Sequence, residues 1–402
     1  MEKKILILKE NQEVWTYIIE DGEVVEIHHE IVSASNKAIH QVGNIYIGKV
    51  KKIVKNMGAA FVEIEPGLEC YYDLTQGKKA IFTSKVGKKS LSVSDELVVQ
   101  LSKEGMKGKA PTVTSEISFT GYYSVLTTGN TRIGVSTKIP KNQREKIKEV
   151  VQKYENDEYG IILRTNGKDV PAHMIQDEID GLILSYEHLR DSAPMRACFS
   201  ILRKAPPCYI ANIKSAYGKG LSKILVNNQK LYDEIREFYE IYDSAYIPKI
   251  QMEDEKGVDL ASIFNLRKVL ERALNEKVWL KNGAYLIIQP TEALTVIDVN
   301  SGKYEKKETD QEAALRINLE AATEIAKQLR LRNISGIIIV DFMNMEKEED
   351  IKQLIKELKE HFLKDAVQTT FVDITKLQLV EITRKKIRKT LLETLTLANQ
   401  RV

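Results

Sequence analysis

Disulfide chemistry, a membrane span and a strong net charge are all missing from this 402-residue sequence. Three cysteines occur, Cys70, Cys198 and Cys208, none of them in a CxxC pair. Their odd number predicts free thiols in a cytoplasmic protein rather than a disulfide framework. The opening run MEKKILILKENQEVW holds too few consecutive apolar residues for a secretory signal, and no later stretch approaches about 18 uninterrupted apolar residues, so no membrane span is expected. With 60 Lys+Arg against 57 Asp+Glu the formal charge is only +3. No overall basicity announces a polyanionic partner, so any nucleic-acid surface has to arise from local clustering. Internal repeats and low-complexity segments are missing as well.

What is present is 43% hydrophobic residues, enough in a chain of this length for roughly two to four domains with buried cores. Residues 3–32 read as a three-stranded antiparallel meander, with KILILKE, EVWTYIIE and EVVEIHHE parted by turns such as Glu20-Asp21-Gly22. Between residues 43 and 119, NIYIGKVKKIVKNMGAAFVEI, a Pro66-Gly67 turn, LECYYDL, ELVVQLSKE and APTVTSEISF predict about five short strands, a small Greek-key barrel of OB type. From Gly121 to about Pro207, strands TGYYSVLTT and YGIILRT alternate with helices QREKIKEVVQKY and MIQDEIDGLILSYEHLRD. After Pro206-Pro207 come CYIANI, KILVNN and helical patterns to about Glu276.

The last third reads as an α/β sheet. Strands AYLIIQP and ALTVIDV precede a helix from about Asp310 to Arg332, with Asp310 as its N-cap and Asn333 to Gly336 as its stop. Leu315, Leu319, Ala322, Ala326 and Leu329 form its apolar stripe, with Ile325 beside it. Strand GIIIVDF, helix EKEEDIKQLIKELKEHFLKD, strand TTFVDI and a basic helix reaching Val402 complete the pattern.

Asp298 in LTVIDVNSG and Asp341 in IIIVDFMN each end an apolar strand. In open α/β sheets the C-terminal strand edge is where ligands bind. Two carboxylates on neighbouring strand ends can share a hard cation, because Mg²⁺ takes one or two protein carboxylates and keeps several waters. Such an ion polarises a phosphoryl oxygen and delivers a water nucleophile, and Asn300, on the face of Asp298 by two-residue alternation, can orient either group. The plain alternative is that each Asp caps the following loop. Local chemistry leaves both readings open and does not choose a substrate.

At these residues the sequence resembles a known family. EALTVIDVNSGK followed by NLEAATEIAKQLRLRNISGIIIVDFMNM closely resembles the catalytic region of the ribonuclease E/G family. NIYIGKVKKIVKNMGAAFVEIEPGLECYYDL looks like that family's OB-fold RNA-binding domain, YGIILRT like its 5′-end sensor, and LVEITRKK like its final helix. The resemblance implies an α+β multidomain chain: a ribonuclease-H-like domain (1–38 and 208–277) interrupted by an OB-fold RNA-binding domain (39–119) and a 5′-sensor region (120–207), then a deoxyribonuclease-I-like α/β catalytic domain (278–402). It implies a magnesium-dependent endoribonuclease that hydrolyses single-stranded, often A/U-rich RNA with 5′-monophosphate stimulation, in rRNA processing or mRNA decay. The rivals are a non-catalytic RNA-binding protein of the same fold and a metal-dependent phosphatase.

Carried over residue by residue, Asp298 and Asp341 are the magnesium ligands and Asn300 their catalytic neighbour. Arg164 and Thr165 read the 5′-phosphate opposite Gly121 and Val125, Arg164 by a bidentate grip. Phe61 and Tyr71 stack on bases, unless Phe61 belongs to the core. Lys103, Lys107 and Lys109 on the loop SKEGMKGKAP contact phosphates or are simply solvated. Lys303 follows Asp298 closely, and the stretch Thr383 to Lys389 either borders the site or is a solvated helix face. Longer family members carry a CPxCxGxG-type motif that shares zinc between protomers. This sequence has none, so zinc is not expected, and a homo-oligomer would not form through a zinc link. Asn344 stands where relatives often have Asp, and the six histidines show no catalytic or metal-binding pairing, with His361 structural.

Overall fold

The structure, a computed structural model, describes residues 2–31, 40–83, 90–105, 109–137, 139–168, 170–216, 220–242, 244–252, 260–303 and 309–399. The chain divides into two compact units, Met1–Ser35 with Cys208–Val402, and Asn36–Pro207.

In Asn36–Pro207, alternating apolar residues close a sheet on itself. Strand Ile45–Val54 pairs with Ala59–Glu65, which pairs with Leu68–Asp73. That strand runs parallel to Thr112–Thr114, next to Glu96–Lys103, which returns to Ile45–Val54. The result is a closed five-stranded barrel of the kind an OB fold forms, with Ile201–Arg203 added beside its first strand. Val50, Ala60, Val62, Cys70, Tyr72, Leu97 and Val99 fill it. A second sheet, ordered Gly134–Val135, Gly160–Leu163, Ser124–Thr127, Ser118–Thr120, packs under the helix Ala172–Ser192. Phe119, Leu126, Leu182, Tyr186 and Leu189 share one core there with Ile45 and Val98 of the barrel.

The other unit holds two sheets. The meander Lys3–Glu10, Glu13–Glu20, Glu23–Ile31 forms as expected and is extended by Leu221–Val226, parallel to the first strand, and by Ile250–Met252. The run CYIANI starts a helix, Cys208–Ala216, whose first amides, those of Cys208 and Tyr209, are accepted by the Glu30 carboxylate at 3.2 and 2.8 Å.

The second sheet has the order Lys277–Trp279, Tyr285–Pro290, Leu294–Asn300, Gly336–Asp341, Val380–Arg384, Thr369–Ile374. Leu294–Asn300 and Gly336–Asp341 run parallel, and the other pairings are antiparallel. The helices Asp310–Leu331 and Glu348–Phe362 cover one face, burying Ile297, Val299, Ile338 and Val340.

Three expectations need correction. The first helix is capped by Thr309, not Asp310: the Thr309 hydroxyl accepts from the Glu312 amide while the Glu312 carboxylate reaches back, a capping box. Its buried stripe runs through Ala314, Ile317, Ala321, Ile325 and Leu329, and Leu315 and Leu319 lie at its half-exposed margin. The stop stands where it was placed, with Asn333 at φ 50° and Gly336 at φ 94°. Finally, LVEITRKK is no helix. Val380–Arg384 is a strand paired with Gly336–Asp341, and the helix begins only at Leu391. Alternation won there because Val380, Ile382 and Arg384 all point inward.

Candidate active site and nucleic-acid interface

Parallel pairing places Asp298 directly opposite Asp341, so both carboxylates stand on the sheet face that the helices leave open, on strands about 5 Å apart. Asp298 is half-buried and Asp341 exposed. Asn300 lies two residues on, and its Nδ2 donates to Oδ2 of Asp298 at 2.7 Å, which holds that carboxylate in one rotamer.

The chain leaving Asp341 is pinned by a residue that the sequence reading passed over. Asn318, fully buried on the long helix, donates its Nδ2 to the Met343 carbonyl at 2.7 Å and accepts the Met343 amide on Oδ1 at 2.9 Å. Its signal was a polar residue inside an apolar helical stripe, where an amide needs buried partners. Asn344 beyond it is exposed.

Of the basic stretch Thr383 to Lys389, Arg384 is committed to structure. It pairs with Asp365 at 2.7 Å, both side chains 5% exposed or less, and donates to Asn333 Oδ1 and the Ile334 carbonyl. Arg388 donates to Asn212 Oδ1 at 2.8 Å. His361 bonds Thr323 and Glu357, a structural role.

On the barrel, Phe61 and Tyr71 are directly opposed across two strands and half-exposed, while their neighbours Ala60 and Tyr72 point into the core. Phe61 is therefore outward. The row extends on both sides, with Lys52 opposite Phe61, Thr112 opposite Tyr71, and Lys103 opposite Thr112. Register shifts between Val50 and Lys52 and between Leu101 and Lys103 bring the two lysines into that row. Lys109 is exposed beyond the strand, and Lys107 lies outside the described residues.

In the second sheet, Val125 is opposite Ile162, and the Arg164 amide donates to the Tyr123 carbonyl. The Arg164 guanidinium is half-buried, and its Nη1 donates to the carbonyls of Gly121, at 2.8 Å, and Tyr122, at 3.3 Å. Burial pulls its pKa below the ordinary value, opposed by the charge of Glu178. Thr165 is exposed, with its hydroxyl 3.2 Å from that of Ser136.

The room left by Gly121 is taken by Glu178, whose carboxylate lies 2.5 Å from where a Cβ would stand. Glu178 accepts the amides of Tyr122, Tyr123 and Ser124 and the Ser124 hydroxyl. Three successive amides facing one anion form a nest. Glu178 was not foreseen, because it is 54 residues from Ser124 in sequence.

Among the described residues no three His, Cys, Asp or Glu side chains gather as a metal site. A pair of in-register carboxylates, one exposed to water, nevertheless fits Mg²⁺, which needs no more than two.

Residues 118–387 match the model of the Ribonuclease E/G family, two-thirds of the sequence. The chain belongs to the ribonuclease E/G family. It is 30% identical to a ribonuclease G of Escherichia coli, over 97% of this chain and 81% of that protein. Against a ribonuclease E of a Synechocystis species it is 30% identical over 98% of its length, and against one from a Nostoc species 29% over 96%. It spans 58% and 56% of those two proteins, little more than half.

Within this ribonuclease E/G chain, the structure brings together Asp298, Asp341 and Asn300 on one sheet face, Phe61, Tyr71 and Lys103 on one barrel row, and Arg164 with Gly121 and Thr165 at one strand end. Lys303 is exposed just after the Asn300 turn, its amide donating to the Gly283 carbonyl at 3.0 Å. Among the described residues no helix is long and apolar enough to cross a membrane.

Proposed function

We propose that this chain is a magnesium-dependent endoribonuclease acting on single-stranded RNA in cytoplasmic RNA processing or decay. The observation that carries the reading is the in-register pair Asp298 and Asp341, open on one side to water and held on the other by Asn300 and Asn318. Family membership selects RNA over other phosphodiesters.

Asp298 and Asp341 would hold the ion. When bound there, magnesium polarises the scissile phosphoryl group and supplies an activated water. The chain's own part is positional. Asn300 holds the Asp298 carboxylate in one rotamer, and Asn318 fixes the backbone where it leaves Asp341. Lys303 offers a cation to the RNA strand beside them. The barrel row of Lys52, Phe61, Tyr71 and Lys103 combines stacking rings with phosphate-binding cations, which suits single strands of varied sequence.

The finer parts of this reading are a 5′-phosphate sensor at Arg164 and Thr165, backed by Gly121 and Val125, and a domain plan of split ribonuclease-H-like, OB-fold, sensor and deoxyribonuclease-I-like parts.

The deciding experiment compares cleavage of a 5′-monophosphorylated oligoribonucleotide by the wild type and Asp298→Asn. A loss on the order of 10³-fold is expected, the several kcal/mol a metal contributes to transition-state charge. Equal rates would sink the assignment, and a wild type that binds the oligonucleotide without cleaving it would leave an RNA-binding protein.

A further inference from the structure

The open face that carries Asp298 and Asp341 continues across the sheet to its edge, where Trp279 stands 53% exposed. Antiparallel register puts Tyr285 opposite Asn300 and Trp279 opposite Tyr285, so all three share the face of Asp298. The two rings meet with centroids 5.2 Å apart at 60°. Lys277, on the same edge strand and face, holds its ammonium 4.2 Å from the Trp279 ring centre and 3.7 Å from that of Tyr285.

The Tyr285 ring is set by the turn after Asn300. Gly302, at φ 56°, comes so close that a Cβ there would stand 2.9 Å from the tyrosine Cδ1 and 2.6 Å from the Gly283 carbonyl. The turn that follows the candidate carboxylate therefore also orients the aromatic pair. Its next residue, Lys303, is a second exposed cation.

From these placements we infer that Trp279, backed by Tyr285, is a stacking platform for a base of the same RNA strand whose phosphodiester sits at Asp298 and Asp341, with Lys277 and Lys303 taking the neighbouring phosphates. The inference rests on the reading of that carboxylate pair as a phosphodiester site. Trp279 lies two strands and two residues from Asp298, about 12 Å at ordinary strand spacing. Stacked bases rise about 3.4 Å each, so the base it receives lies within about four nucleotides of the scissile bond. An indole accepts any base, so the platform fixes where the strand lies without reading its sequence. The flanking charges suit this occupant, because a lysine beside an exposed ring meets both halves of a nucleotide.

The sequence contains two tryptophans, and Trp15 is only 6% exposed, so Trp279 dominates the solvent-sensitive emission. The test titrates the whole chain, in EDTA to prevent cleavage, with a 2′-O-methyl single-stranded oligoribonucleotide. Tryptophan emission is followed alongside the anisotropy of a fluorescein-labelled copy. Expected are an emission change that saturates with the anisotropy and disappears in Trp279→Phe, and binding about five- to fiftyfold weaker in Trp279→Ala with most of it restored in Trp279→Phe.

Anisotropy showing binding with unchanged emission, or Trp279→Ala binding as tightly as wild type, overturns the platform and leaves the proposed function standing. Emission that follows protein concentration and ignores RNA assigns the face to a second copy of the chain and overturns it too. No binding by anisotropy removes the RNA reading itself, and the platform with it.

Discussion

The barrel in Asn36–Pro207 closes its hydrogen bonds on itself, whereas the six-stranded sheet of the other unit ends its parallel pair at an open edge. Their ion pairs differ as well. In the barrel unit Lys51–Glu63 and Arg190–Glu158 reach the solvent. In the other unit Arg384–Asp365 is buried, and Arg330 of the long helix grips Glu20 and Glu26 of the meander sheet with side chains 10 to 14% exposed. On the proposed reading the closed barrel spreads its contacts along one row, Lys52, Phe61, Tyr71 and Lys103, so that each should contribute a part of the binding. The open edge, on the same reading, concentrates its chemistry on two or three atoms, while the charge that anchors its unit lies at the far end of those strands, where Arg384 stands opposite Gly336.

The widest gap between the two regions should come from Asp298→Asn set against any single barrel change. If Asp298 holds the proposed ion, the change should cut turnover on the order of 10³-fold and leave the binding of an uncleavable RNA intact. A comparable collapse of cleavage from one barrel substitution in a folded protein would break the comparison.

Acid should separate the units next. Burial alone would raise the Glu26 carboxyl, but His28 and Arg330 outweigh it and hold it down to about 2, against an ordinary 4.5. A depressed carboxylate contributes fully above its unfolded value, and that contribution is lost as pH falls through the folded one, here on the order of 3 kcal/mol between pH 4.5 and 2. Hydrogen exchange resolved along the chain should show the meander sheet and long helix loosening across that window before the barrel strands do. In Arg330→Met the window-specific loss should shrink to the part His28 supplies; an unchanged profile would refute the charge anchor.

Asn318→Ala probes the same anchoring without charge. It strands the amide and carbonyl of Met343, two partly buried groups, each costing up to the roughly 1–3 kcal/mol of a fully buried one. We expect a loss of about 2–4 kcal/mol by urea unfolding, with cleavage reduced even where the variant remains folded, because Asp341 loses its fixed exit. Full activity in the folded variant would show that the edge tolerates motion.

Arg164→Ala should remove the preference for 5′-monophosphorylated over 5′-hydroxyl RNA and spare unstimulated cleavage. A charge-assisted contact of about 1.5–3 kcal/mol sets the scale, a preference of roughly ten- to a hundredfold. A preference that survives places the phosphate elsewhere.

How much of this was legible in the sequence follows the same division. Asp298, Asn300 and Asp341 could be read directly because two-residue alternation and apolar strands fix their face, and a parallel pair needs no knowledge of turns. Asn318, Glu178 and Lys52 could not. Asn318 acts across 25 residues and Glu178 across 54, distances at which neither spacing nor periodicity carries information. Lys52 is hidden for a different reason: alternation from buried Val50 points it into the barrel, and only the bulge between them turns it out. LVEITRKK is expected as helix from its resemblance to the family's final helix, whereas its own alternation of Val380, Ile382 and Arg384 makes a strand, with Arg384 buried against Asp365.

The smallest effect expected is also the one that best tests whether barrel contacts are graded. Phe61→Ala and Tyr71→Ala each remove one ring from a cross-strand pair, at about 1–3 kcal/mol of binding per stacked base. Both side chains lie outside the core, so unfolding should change little. If the rings hold successive bases independently, the double variant should lose the sum of the two single losses when binding of an uncleavable oligonucleotide is measured. If they clamp one base between them, each single change should cost nearly as much as both. The second result would mean that the barrel, like the carboxylate edge, depends on one precisely held position, and the contrast between the two regions would fail at its binding end.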